Sequence, residues 1–218
     1  MKICKTLFFL LLSVTFLGCT SNKEKALDTI KKEMFKTLYD FESYQPVETT
    51  LEELRHDQYG DTIIFDKVML IQYLKEQLNA AQKKFNDAER THNIWYSDYY
   101  MSSTSRRKCE EAEKEMDQAV AEMGLNIKIW RATNDSIKQI AKQCDGKPYG
   151  WRVTHKFRCK TKGGMPDLAT YTYFMDKKCK KILRRLNEDD LSYDDYKTVV
   201  DSSLKEDNSE TDAVEENI

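Results

Sequence analysis

Apolar residues recur at intervals of three and four through the middle of this chain. Ile71, Leu74, Leu78, Ala81, Phe85, Ala88, His92, Trp95 and Tyr99 keep that spacing without a slip. Cys109, Ala112, Met116, Ala119 and Met123 repeat it, followed by Ile127, Trp130, Ile137 and Cys144. Residues three and four apart share one face of a helix, so each run presents a narrow apolar seam that has to be buried. Met101 to Ser105 is short and polar, which suits a tight connection between two helices. The pattern predicts an antiparallel helical hairpin over 66–144, with arms roughly 50 Å long. Asp66 is placed to cap its first helix. Gly124 and the run Thr133 to Ser136 disfavour a helix interior and predict a bend or restart in the second.

The flanks read differently. Leu27, Ile30, Met34, Leu38 and Phe41 mark an amphipathic helix over roughly 24–42. It ends at Pro46, because the residue before a proline avoids helical dihedrals. Val47, Thr49 and Leu51 then alternate with Glu48, Thr50 and Glu52, the period of a half-buried strand. Beyond Asp145 to Pro148, a stop signal, the period is again two. Trp151, Val153, His155, Phe157 and Cys159 share one face, and Ala169, Tyr171, Tyr173 and Met175 share another. Folding these strands about Gly163 and Gly164 sets Val153 opposite Met175, His155 opposite Tyr173 and Phe157 opposite Tyr171. Ile182 to Leu186 returns as a further strand. Ser192 and Asp195 form a capping pair for a short helix carrying Tyr196, Val199, Val200 and Leu204.

The fold class is therefore α+β: a long antiparallel helical hairpin and an N-terminal helix packed with a small antiparallel β-sheet of three to four strands, then a short C-terminal helix. One helix-rich domain is expected over 26–204, with the hairpin at 66–144 and a β-meander at 149–187. The meander after a helix loosely resembles the small α+β pockets of cystatin-like and NTF2-like domains. Residues 205–218 hold one lysine and six acidic residues and no aromatic side chain, and read as a disordered acidic tail.

The N-terminus changes the picture of where the chain works. Lys2 and Lys5 precede an apolar run, Thr6 to Leu17, too short to span a bilayer as a stable helix. It closes with Phe16, Leu17, Gly18 and Cys19. Residues 1–18 followed by Cys19 resemble the signal peptide and lipobox of bacterial lipoproteins of the Bacteroidetes outer-membrane kind; Phe16 stands where leucine is usual. The resemblance implies cleavage before Cys19, a diacylglyceryl thioether on that cysteine and an acylated amino terminus. Residues 19–25 then form a lipidated tether. Several acyl chains, at about 0.8 kcal/mol per buried CH₂, hold a protein on a membrane far better than one does. Thr20 replaces the aspartate that resembles an inner-membrane retention signal, so the outer membrane is the expected location.

Charge excludes one class of partner. The chain has 35 basic and 37 acidic residues. Without the signal peptide and the tail the balance becomes 32 to 31, nearly neutral. Nucleic acid needs a clustered basic face, and none is present.

Candidate chemistry is sparse. Cys109, Cys144, Cys159 and Cys179 remain after Cys19, and an exported chain meets an oxidising compartment. The expected sheet brings Cys144 and Cys179 to one end, so these two are the disulfide candidate. No two cysteines stand at a ligand spacing such as C-x₂-C, and His56, His92 and His155 form no metal motif, so no metal or cofactor is predicted. His92 on the seam and His155 on the inner sheet face read as core histidines. No G-x-S-x-G and no phosphate-binding glycine loop occurs. The hairpin tip is the suggestive feature, with Ile94, Trp95, Tyr96, Tyr99, Tyr100 and Met101 within eight positions. Trp95 and Tyr99 continue the seam, whereas Tyr96 and Tyr100 fall off it. Together the four aromatic residues are the candidate contact for a protein partner. The expected role is a lipid-anchored, non-catalytic binding or scaffolding component of the cell envelope. The alternative is a small-ligand or hydrolytic domain with a pocket on the sheet face.

Overall fold

A computed structural model of the chain describes residues 21–205. Cys19 and residues 206–218 lie outside that range. Among the described residues no helix is long and apolar enough to cross a membrane. The chain divides into two compact units, one from the N-terminal segment to Leu54 plus Tyr149–Asp190, the other Arg55–Pro148 plus the segment from Leu191.

The first unit is one helix on one sheet. Helix α1 (Asn22–Thr37) opens on Ser21, whose hydroxyl accepts from the Glu24 N–H while the Glu24 carboxylate accepts from the Ser21 N–H. That reciprocal pair satisfies two amide donors the helix itself cannot. Leu38 turns extended and ends the helix at Thr37, five residues short of the predicted end at 42. A separate 3₁₀ turn, Phe41–Ser43, leads into the sheet. Strands β1 (Gln45–Arg55), β2 (Pro148–Lys160), β3 (Pro166–Asp176) and β4 (Ile182–Asn187) lie in that order in one antiparallel sheet. Ala26, Ile30 and Met34, four apart on α1, pack with Val153 and Phe157 of β2 and Tyr173 and Met175 of β3. Burying such a stripe contributes about 25 cal/mol per Å² of apolar area, which is what holds a single helix to a sheet.

The register differs from the expectation by two residues. Val153 faces Tyr173, His155 faces Tyr171 and Phe157 faces Ala169. Side chains alternate with a period of two, so this slip leaves every residue on its expected face. The connection is the five residues 161–165, closed by a bond from the Thr161 N–H to the Met165 carbonyl at 2.9 Å, with Gly164 at φ +77°. Pro166 pairs with Lys160 as the first residue of β3, where a missing N–H costs least. At the other end of β2, Gly150 leaves no space for a side chain. A Cβ there would run into the Met175 carbonyl oxygen.

The second unit contains the hairpin. Helix α2 (Thr62–Tyr96) has 35 residues and α3 (Ser103–Ala141) has 39, so the arms are roughly 50–60 Å long. Asp61, not Asp66, caps α2: its Oδ1 accepts from the N–H groups of Ile63 at 2.7 Å and Ile64 at 2.9 Å. The stretch Thr62 to Phe65 is thus the first turn of the helix. Ile64, Phe65, Val68, Ile71, Leu74, Ala81 and Ala88 are buried on α2, against Cys109, Ala112, Ala119, Met123 and Ile137 on α3. Leu78, Phe85 and His92 are only half-buried. Lys84 with Glu122 (2.9 Å) and His92 with Glu113 (3.4 Å) bridge the arms and mark their antiparallel register.

Helix α3 does not restart; it runs as one helix through Gly124 and Thr133 to Ser136. Thr133 returns its hydroxyl to the Ile129 carbonyl at 2.7 Å, and Thr133 and Asn134 are buried on the seam. Tertiary packing outweighs local propensities worth about 1 kcal/mol or less each. Helix α4 (Tyr193–Lys205) starts at the expected Ser192 and Asp195 pair and packs on both arms, with Tyr196 against Phe65.

Candidate functional site

Two places in the second unit carry features that packing alone does not explain. The first is the hairpin tip. Tyr96 is 56% exposed, Tyr100 81% and Met101 88%, with Ile94 exposed beside them. The expected seam positions diverge: Tyr99 is half-buried, while Trp95 is 37% exposed. The turn is tight, with the Met101 and Ser102 N–H groups both donating to the Asp98 carbonyl at 3.0 Å. The rings form a ladder. His92 and Tyr96 are 5.2 Å apart between centroids, Tyr96 and Tyr99 6.1 Å, and Tyr99 and Tyr100 5.1 Å, and the Arg106 guanidinium sits 5.8 Å over Tyr99. The rings thus contact one another although Tyr96 and Tyr100 face solvent.

The second place is at the opposite end of the arms, where the chain enters α2 and leaves α3. His56 lies between two carboxylates. Its Nε2 is 3.1 Å from Asp61 Oδ2 and its Nδ1 is 3.1 Å from Asp145 Oδ1. The Asp145 backbone N–H also approaches Nδ1, at 3.4 Å. Asp61 is nearly buried, its Oδ1 committed to the helix cap and its Oδ2 turned to the ring. The Cys144 thiol completes the group: one donor atom each of His56, Asp61 and Cys144 lie within 4.8 Å of one another. Backbone bonds tie the segments together, from the His56 N–H to the Lys147 carbonyl and from the Gly146 N–H to the His56 carbonyl, both 2.9 Å. Gly146, at φ +69°, supplies a turn that other residues adopt only with strain. Tyr59 donates to Asp201 of α4 at 2.8 Å and steadies the loop between His56 and Asp61.

The electrostatics of this group disfavour a cysteine nucleophile. Burial, and after it the carboxylates of Asp61, Asp57 and Asp145, push the Cys144 thiol up from its ordinary value. A nucleophilic cysteine needs the reverse, a depressed pKa beside a ring nitrogen free to take its proton. Here both ring nitrogens face carboxylates. Asp145 is held well below the usual carboxylate range, first by hydrogen bonds from the Lys147 side chain and backbone and then by His56. The arrangement suits holding a cation better than attacking a carbonyl.

Comparison with protein-family models, with curated proteins and with solved structures finds no match for this chain.

The four described cysteines are free thiols, so the Cys144–Cys179 disulfide is not formed in this structure. Cys179 is fully buried in the core of the first unit, and the Cys144 thiol, in the second, donates to the Ile140 carbonyl at 3.6 Å. His155 is a core histidine as read: it is fully buried, 2.8 Å from the Tyr44 hydroxyl at Nε2 and 2.8 Å from the Thr49 hydroxyl at Nδ1. The His56 group was not found by spacing, because its donors come from three segments of which two lie more than eighty residues apart in the chain. The one local sign was an aspartate five residues after a histidine at a helix start, which is too common to be diagnostic.

Proposed function

We propose that this protein is a lipid-anchored component of the bacterial cell envelope, held at the outer membrane through Cys19, and that it works by binding a partner protein at the hairpin tip. The observation that carries this reading is the set of contacting rings of Tyr96, Tyr99 and Tyr100, the first and last of them exposed, with the exposed Trp95 and Met101 beside them. Tyrosine, tryptophan, methionine and arginine are the residues enriched at protein–protein contacts, where they supply large area at low entropic cost. The surrounding charges are mixed: Arg90, Arg106, Arg107 and Lys108 alternate with Asp87, Glu89, Asp98, Glu110 and Glu111. An anionic membrane surface would favour a basic set, so a protein is the better occupant.

The alternative, a pocket on the sheet face, is disfavoured by the packing there. Val153, His155, Phe157 and Tyr173 are fully buried, with Ala26, Ile30 and Met34 of α1 filling the space above the sheet. The test of the anchoring half is fractionation of cells making the wild-type chain or Cys19→Ser. The wild type should stay with the outer membrane through a salt wash and the variant should not. A variant that still fractionates with the membrane would refute anchoring at Cys19.

A further inference from the structure

We infer that His56, Asp61 and Cys144 bind a divalent transition-metal cation of the zinc kind, with Asp145 holding the histidine from behind. This inference is independent of the binding role assigned to the tip.

The donor set selects the class of ion. An imidazole nitrogen, a carboxylate oxygen and a thiolate sulfur together suit zinc and its neighbours, whereas calcium and magnesium want six or more oxygens. Bonds of about 2.0–2.3 Å to a tetrahedral ion put neighbouring donors roughly 3.3–3.8 Å apart. His56 Nε2 and Asp61 Oδ2 are already 3.1 Å apart, and one donor atom of each of the three residues lies within 4.8 Å of the other two, so modest side-chain rotations close the set. The cation takes the place of the direct contact between Nε2 and Oδ2. Cys144 enters as the thiolate. Its proton passes to solvent.

Two further features orient the donors. Asp145 Oδ1 lies 3.1 Å from Nδ1, so a ring that binds the cation through Nε2 and carries its proton on Nδ1 would donate that proton to Asp145, the carboxylate–histidine–metal arrangement common at such sites. Asp61 is fixed through its other oxygen, since Oδ1 is held by two N–H groups of α2. His56 and Cys144 are half-buried, so solvent reaches the group and can supply a water as fourth ligand.

The test is titration of the full, lipidated, reduced protein in detergent with Co(II), read by the sulfur-to-cobalt charge-transfer band, then displacement with Zn(II). One equivalent should develop the band and zinc should abolish it. Cys144→Ser should lose the band, while Cys159→Ser should keep it. His56→Gln and Asp61→Asn should each weaken binding at least tenfold. Asp145→Asn should keep the band but weaken binding about tenfold, as expected of a group behind the ligand. Helical circular dichroism of each variant reports whether it folds, and Cys144→Ser, nearly isosteric, decides the case alone. No band in the wild type, or a band that survives in folded Cys144→Ser, overturns the site.

Discussion

Ala119→Leu tests how closely the hairpin arms approach. Ala119 is 1% exposed in the middle of α3, and the buried α2 positions toward the tip, Ala81 and Ala88, are also alanines. Small residues on both arms mean that the backbones lie near each other, with no void for added carbons. Three extra carbons at Ala119 therefore have to displace packed atoms, which costs about 1–3 kcal/mol. For a protein of this size that lowers the thermal midpoint by roughly 2–4 °C per kcal/mol. Ala121→Leu is the control. It makes the same change two residues away at an exposed position, where alanine and leucine differ by only a few tenths of a kcal/mol in helix propensity. The assay is urea or thermal unfolding followed by helical circular dichroism, with both variants beside the wild type. A drop of several degrees for Ala119→Leu and about one degree or less for Ala121→Leu is expected. Equal effects, or stabilisation by Ala119→Leu, would refute the close alanine seam and with it the packing of the hairpin.

Three further outcomes follow from other parts of the fold. Gly150→Ala should destabilise by about 2 kcal/mol or more in urea unfolding, since its Cβ collides with backbone rather than with a movable side chain. Burial lowers His155 from 6.5 to about 4, so the unfolded chain takes up a proton there before the folded chain does. Its share of stability is therefore complete above pH 6.5 and falls as the pH drops toward 4, by about 3 kcal/mol in all. Unfolding midpoints measured between pH 7 and 4 should show a steeper loss for the wild type than for His155→Gln. Thiol labelling of the native protein should reach the half-buried Cys144 and Cys159 well before the fully buried Cys109 and Cys179. Labelling of Cys179 as fast as Cys144 would contradict its place in the core.

The parts of the fold that were legible are those with a long, uninterrupted period. The three-four spacing from Ile71 to Tyr99 competes with no other pattern, and the alternation in β2 and β3 is equally plain. Register was legible only to within two residues, because a slip of two exchanges Met175 for Tyr173 opposite Val153 without moving either to the other face. Element ends were less legible. Asp61 and Asp66 are both acceptable caps, and the choice falls to Asp61 because Ile64 and Phe65 behind it are buried and need helical geometry to reach the seam. The unbroken course of α3 was hidden because Gly124 and Asn134 advertise local weakness, while the packing that overrides them comes from a distant segment. The His56 group was illegible for the same reason: proximity of residues 56, 61 and 144 exists only once the hairpin has folded back. At the tip, the aromatic cluster was visible in sequence, but its division into braced and exposed rings required the turn at Asp98.

The central claim, that the tip binds a protein partner, is tested most directly by a photo-cross-linking amino acid at Tyr100, introduced into the full lipidated chain in living cells. The same probe at Lys114, exposed on α3 below the tip, is the control. The tip probe should give a discrete higher-mass protein adduct that the control does not, and Tyr96→Ser in the same chain should diminish it. No adduct from Tyr100, or the same adducts from Tyr100 and Lys114, would contradict a partner at the tip.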